Sequence, residues 1–563
     1  MTKKKKKRIY ILTVSLVLLI AALFLVFFDK EDENLSYVTQ DYGLKENEAQ
    51  IILENEIYTE NAFIKDGAVY IPFALATEKL SDGFYEDEDE NDDTIFYVLP
   101  TKILKFTPDK KYYIENDERV YPDAPVFITE NEKVYIEISF LNEISDMKYA
   151  FYENPNRVVI NYEWTDFLYN TVKDETPVHA EDSVTSGIVR KLSASEKVYY
   201  IGGYGNNKNN FVKIMTLDGI FGYIQRKHVE SAEHIVSVSD YTAPAENHIL
   251  YDEKIRLGWW YVASKAGNAT YSESVKNASS MNVISPTWIS LADDYGNITS
   301  FADKTYVGRA HSDGYKVWIL VDFPDGEVSP HKNLSINSSR ENLINNLVQE
   351  TIDTGADGIN IDFEALSVQT GPHFVEFIKE LSVKCHLAGL VLSVDNLVPS
   401  YATEHYDIEE QAKYADYIVV MTYDEHYAAS TTAGSVASIG FVRDAITDTA
   451  KMCERSRIIM GIPFYTRLWK SDSQGLTSEV YSITAAERYI SKNNLTKTWD
   501  AETCQNKVEF TKDGSVYTMW CEDTESVAYK CADAVSGDLA GVACWRLGLE
   551  NSEIWPVIGN YIK

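Results

Sequence analysis

The rhythm of apolar and polar positions changes several times along the chain. Residues 9–28 form an almost unbroken apolar run behind a basic stretch at residues 3–8, and about 20 such residues are what a helix needs to cross a bilayer. This predicts a transmembrane anchor within residues 1–30, its basic flank cytoplasmic and everything beyond residue 29 on the outer side. A cleaved secretory signal is the alternative, but the run ends in LFLVFFDKE with no small-x-small cleavage pattern. Residues 36–165 carry short alternating runs rich in Val, Ile, Tyr and Phe, such as VFITENEKVYIEISFL and RVVINYEW, which predict a small β-rich domain. Residues 180–230 show short strands joined by Gly and Asn turns, and residues 231–246 read as a linker. From residue 247 onward, apolar strands alternate with amphipathic segments. The strands are RLGWWYV, NVISPTWISLA, KVWILVDF, DGINIDFE, LVLSVDNLV, YIVVMTYDE, RIIMGIPFYT and GVACWRLG. Eight strands with helical crossovers predict an α/β fold, a C-terminal (β/α)8 or TIM barrel over residues 247–563, with its site at the C-terminal ends of the strands.

Composition narrows the partners. The chain has 563 residues, and 86 Asp and Glu against 52 Lys and Arg give a net charge of −34, so binding to nucleic acid is opposed electrostatically. The acidic run EDEDENDD at residues 86–93 predicts a solvated loop, with a divalent cation as the alternative ligand. Six cysteines are too few for a disulfide scaffold. Cys504 and Cys521 flank a hairpin-like stretch and are the candidate bridge, with buried free thiols as the alternative. No CxxC or His-rich spacing points to a metal.

The stretch ADGINIDFEAL at residues 356–366 sets Asn360, Asp362 and Glu364 at every second position between Ile359, Ile361 and Phe363. On a strand this places the two carboxylates on one face, with Cα atoms about 7 Å apart. A strand that is greasy outside and acidic inside suits a closed barrel whose mouth is a site. DGINIDFE resembles the DxxDxDxE signature of glycoside hydrolase family 18, the chitinase-like enzymes. MTYDEHY resembles the family's sixth-strand motif, GIPFYTRLW its seventh, and Trp545 in ACWRLG its eighth-strand tryptophan. Within the family the chain is most similar to the spore-cortex and cell-wall N-acetylglucosaminidases of endospore-forming bacteria. One position departs from the signature: Asn360 stands where the pattern has Asp.

The resemblance implies that Glu364 is the general acid and base. It also implies that Asp362 orients the substrate's 2-acetamido group and that Tyr423 hydrogen-bonds its oxygen. Trp545 would floor the pocket, and Asn360, Asp357, Asp424, Tyr465, Arg467 and Trp469 complete the expected substrate-binding set. Neither a metal nor an organic cofactor is implied. Physically, a general acid must hold its proton near neutral pH, which burial and a neighbouring carboxylate both favour.

Two further resemblances concern the N-terminal half. The layout of residues 36–165 resembles the N-terminal domain of copper amine oxidase-like wall proteins. LDGIFGYIQRKHV resembles the closing hairpin of a bacterial src-homology-3-type (SH3-like) β-barrel, which implies attachment to cell wall. The expectation is therefore a membrane-anchored, monomeric enzyme on the cell-wall side, cutting an N-acetylglucosamine-containing glycan. A chitinase with the same chemistry and an inactive, lectin-like glycan-binding protein are the rivals.

Overall fold

The structure is a computed structural model that describes residues 36–563 apart from residues 90, 203–209, 325 and 327. It has two compact units. The predicted anchor at residues 1–30 lies outside the described residues, and among those described no helix is long and apolar enough to cross a membrane.

The first unit gathers residues 36–84, 106–113 and 119–243. One seven-stranded sheet is mixed: Glu48–Leu53 runs parallel to Arg157–Asn161 and antiparallel to Glu56–Lys65. A second sheet has seven antiparallel strands over residues 166–236. It closes on a small core of Val178, Leu192, Val198, Val212, Ile214 and Ile224. This sheet is larger than the expected 180–230 module. Glu233–Val236, expected in a linker, pairs with Asp166–Tyr169 as an edge strand, because its alternating residues fit a half-exposed ladder.

The second unit is a closed barrel. Its parallel strands are β1 (Ile255–Trp260), β2 (Val283–Leu291), β3 (Lys316–Asp322), β4 (Gly358–Ile361), β5 (Val391–Asn396), β6 (Tyr417–Val420), β7 (Ile458–Pro463) and β8 (Gly541–Trp545). Each pairs with the next, and β1 pairs with both β2 and β8, which closes the ring of eight. All eight predicted strands are present. The helices around it include α1 (Lys304–Ser312), α2 (Pro330–Ser335), α3 (Asn337–Thr354), α4 (Gly371–Leu387), α5 (Ile408–Tyr414) and α6 (Ile439–Thr449). After β7 the chain adds an antiparallel sheet that includes Tyr465–Asp472 and Ser515–Cys521.

Alternation along the strands separates two cores. Outward residues such as Ile319, Ile359, Ile361, Leu392 and Ile418 pack under the helices. Inward residues such as Leu257, Trp259, Trp318, Leu320, Val419 and Ala543 fill the barrel. Gly358 faces inward, where a Cβ would come within 2.9 Å of the Trp318 ring and 2.5 Å of the Val391 carbonyl. Only glycine lets those neighbours approach so closely.

Helix α4 is the surprise. Its sequence is amphipathic, yet its polar face is also buried, including His373, Glu376, Lys379 and Glu380. The reason is that residues 85–105 and 114–118, which lie in the sequence of the β-rich region, cluster with the barrel unit. Phe96, Val98 and Ile103 pack on Val383 and Tyr414, and the Tyr414 hydroxyl donates to the Val98 carbonyl at 2.8 Å. Ion pairs hold several of the polar groups so covered, Arg340 with Glu380 and Lys379 with Glu410. Arg340, fully buried, donates to Glu380 at 2.7 Å, lies over the rings of Tyr85 and Phe96, and donates to the Leu334 carbonyl. The expected Cys504–Cys521 bridge is corrected. All six thiols are free, because the hairpin register sets Asn506, not Cys504, opposite Cys521.

Removing one partner of a buried ion pair strands the other. Arg340→Met should therefore destabilise the barrel by about 3–5 kcal/mol in denaturant unfolding, and Arg340→Met combined with Glu380→Met should recover much of that loss. Equal losses from the single and double variants would contradict this.

Candidate active site

The inward positions of β4 carry the alternation to the barrel mouth. Asn360 and Asp362 share a parity, while Phe363 faces the opposite way and stacks at 5.8 Å on Phe377 of α4. The strand ends at Ile361, so Asp362 sits on the rim and Glu364 on the turn beyond it, not on the strand as expected. Ala365 turns the chain there with φ +54°. Tyr406 holds this turn on both sides of Glu364: its hydroxyl accepts from the Leu366 N–H at 3.0 Å and donates to the Phe363 carbonyl at 3.2 Å. The His405 Nε2 lies 2.9 Å from the Leu366 carbonyl.

Beneath the rim lies a polar stack. The Asn360 side chain is fully buried; its Oδ1 accepts from Trp259 Nε1 at 2.8 Å and from Ser285 Oγ at 3.1 Å. Its amide donates to Ser393 Oγ at 3.0 Å and to Asp395 Oδ1 at 2.7 Å. Above it, Asp362 keeps one buried oxygen, Oδ1, without a hydrogen-bond partner. Burial, then the charge of Glu364, then that of Asp322, push the Asp362 carboxyl up to about 8. Asp395 is driven well above the usual carboxylate range by burial and by Asp362. Burial also raises Asp322. Several acids in one poorly solvated mouth cannot all ionise, so the cluster retains protons at neutral pH.

Tyr423 follows β6. Burial and the carboxylates of Asp362, Asp395 and Glu364 raise its hydroxyl well above the ordinary tyrosine range, so it remains a hydrogen-bond donor. Tyr465 meets it edge-on at 6.3 Å and donates to Asp424 Oδ1 at 2.7 Å. Arg467 faces Tyr465, with Nη1 donating to Ser478 at 2.9 Å and a buried Nε without a partner. Trp545, half-buried at the end of β8, packs at 64° against Trp259 with centroids 5.8 Å apart. The peptide between Trp545 and Arg546 is cis.

The structure thus brings Asp362, Glu364, Tyr423, Asp424, Tyr465, Arg467 and Trp545 to the ends of four strands. Three expected substrate contacts are corrected. Asp357 precedes β4 at the opposite end of the barrel, paired with Lys316 at 2.8 Å and His311 at 2.7 Å. Asn360 spends its whole hydrogen-bonding capacity inside the barrel. Trp469 is 1% exposed, its Nε1 donating to the Gly434 carbonyl, so it packs the inserted sheet. Sequence reasoning missed Asp395, Asp322 and Tyr406. For Asp395 a signal existed: in LVLSVDNLV, Ser393 and Asp395 repeat on β5 the inward polar parity of Asn360 and Asp362.

Comparison with known proteins bears on this site. The pattern of the copper amine oxidase N-terminal domain matches residues 52–160. An uncharacterized glycosylase of Bacillus subtilis, YvbX, is 25% identical over 311 residues, covering 52% of this chain and 89% of that protein. The cortical fragment-lytic enzyme of Bacillus subtilis is 25% identical over 230 residues, covering 39% of this chain and 53% of its own length. A crystallographic C-terminal domain from Desulfitobacterium hafniense superposes with a TM-score of 0.51 at 23% identity, covering 55% of this chain and 100% of that domain; it shares the fold. The pattern of the glycosyl hydrolases family 18 matches residues 264–550, just over half of the 563 residues. That span holds the strands whose rim gathers the acids, and the chain belongs to glycosyl hydrolases family 18 and is a glycoside hydrolase.

Proposed function

We propose that the chain cleaves β-1,4 bonds after N-acetylglucosamine in peptidoglycan or spore cortex, by a substrate-assisted route with retention. The observation that carries this reading is the unpartnered, buried Asp362 Oδ1 beside Glu364. A carboxylate oxygen kept without a protein donor is suited to an N–H that arrives with the substrate. The sugar's 2-acetamido group supplies one. Its carbonyl oxygen attacks C1 while Glu364 protonates the departing glycosidic oxygen, and the electrons of the broken bond leave with that oxygen. Positive charge developing on the acetamido group favours the ionised form of Asp362. Tyr423 donates to the acetamido oxygen, and Trp545 offers its face to the apolar side of the ring. Water then gives a proton to Glu364 and opens the cyclic intermediate at C1.

The cell-wall side of the reading rests on the cortex-directed name of a relative and on the apolar run at residues 9–28, proposed as the anchor. The antiparallel sheet of residues 166–236 is proposed as the SH3-like module that holds the wall. Chitin carries the same sugar and is the competing substrate.

Digestion of purified peptidoglycan and of chitin, followed by mass spectrometry, should give fragments from peptidoglycan with a new reducing end on N-acetylglucosamine. Release from chitin alone would overturn the substrate assignment. Glu364→Gln should lower kcat by about 10²–10⁴-fold while glycan binding persists; wild-type protein that binds without cleaving would favour the lectin reading.

The shared protons set a pH limit. kcat/KM should decline on the alkaline side as pH rises through about 8, where the Asp362–Glu364 pair loses its last proton.

Stability should follow the same group. Asp362 binds its proton more tightly folded, at about 8, than at its ordinary 3.8, so the fold loses stability as pH rises between those values. Asp362→Asn removes that loss. Its melting temperature should exceed wild type by more at pH 9 than at pH 5, with activity reduced at both.

A further inference from the structure

The acidic run at residues 86–93 is not a free loop where it is described. Asp87 Oδ2 accepts from the Asn337 N–H at 2.7 Å, Asp92 Oδ2 from the Asn337 side chain at 2.8 Å, and the Glu88 N–H donates to the Ser335 carbonyl at 3.0 Å. The loop is thereby pinned on the junction of α2 and α3, all within the barrel unit. With Asp87 and Asp92 so engaged, Glu88 turns toward two imidazoles. Its Oε2 lies 2.9 Å from His331 Nε2 and its Oε1 lies 3.2 Å from His373 Nε2. One ligand atom from each of the three residues falls within 4.8 Å of the others. The three come from separate elements: the loop, α2 and the first turn of α4.

Behind each imidazole stands a polar partner. His373 Nδ1 is 2.7 Å from the Tyr85 hydroxyl, and His331 Nδ1 is 3.2 Å from Thr370 Oγ1. Histidines that ligate metals are usually held this way, with the second nitrogen fixed by a hydrogen bond so that the first presents its lone pair. The rings meet at 74°, so the two Nε2 atoms converge on the carboxylate. His373 is buried, whereas Glu88 is exposed, leaving the solvent side free for water. Two imidazoles, one carboxylate and an open position form a donor set for zinc(II).

We propose that Glu88, His331 and His373 bind a zinc(II)-class ion that fastens residues 85–105 to the barrel, outside the glycosidase centre. The ion replaces the proton that a His–Glu contact requires, and water fills the fourth position. Thr370 links this site to the catalytic turn, because its hydroxyl also lies 2.9 Å from Ser367 Oγ, three residues beyond Glu364. The ion's role is to hold the loop in place; no step at the sugar passes through it.

Full-length protein purified without a polyhistidine tag, stripped with chelator and titrated with zinc against a chromophoric chelator, tests this. Expected are one zinc per chain and a higher melting temperature when loaded. Glu88→Gln, on the exposed loop, and His331→Ala should each lower affinity about 100-fold, and Tyr85→Phe or Thr370→Val about 10-fold with all three ligands intact. Cobalt(II) in place of zinc should give visible d–d bands that His331→Ala abolishes. Zinc uptake too weak to compete with the chelator, or equal uptake by wild type and Glu88→Gln, would overturn the assignment.

Discussion

Carboxyl groups packed where water is scarce repel one another, and the chemistry at this barrel's mouth depends on that repulsion. Asp362 feels the charges of Glu364 and Asp322, Asp395 feels those of Asp362 and Glu364, and burial is the first cause of the upward shift of each of the three aspartates. Burial and the same crowding push the Tyr423 hydroxyl further above the ordinary tyrosine range. A proton retained at neutral pH is what a group that must surrender one to a leaving oxygen requires.

The barrel makes that crowding tolerable through Asn360. An amide can donate and accept at once, and this one accepts from β1 and β2 while donating twice to β5. A carboxylate at the same place would bring another charge and lose the two donations. The asparagine is therefore a neutral joint beneath charged neighbours. Its departure from the family signature leaves the rim acids in place, since Asp362 and Glu364 lie above it.

Much of this was legible in the sequence because period-two alternation reports which face of a strand is wet. All eight barrel strands declared themselves, and Asp362, Glu364, Tyr423 and Trp545, set in local motifs, fall at the ends of those strands. Alternation gives the face but not the depth. Asp357 and Asp362 belong to one signature, yet they stand at opposite ends of a strand only four residues long. Tyr406 lies 42 positions from Glu364 and meets its turn only through the fold. Nothing local to α4 announces that residues 85–105 cover its polar face.

That covering segment bears on how such a protein is inherited. Phe96, Val98 and Ile103, which shield Val383 and Tyr414 of the sugar-cleaving body, are encoded well upstream of the first barrel strand. A recombination event that swapped the amino-terminal half for another adaptor would carry away part of the catalytic core's own hydrophobic skin. Modules strung like beads can be exchanged at their joints; here the thread has been stitched through twice, by residues 85–105 and 114–118, so a cut at the first barrel strand would tear it.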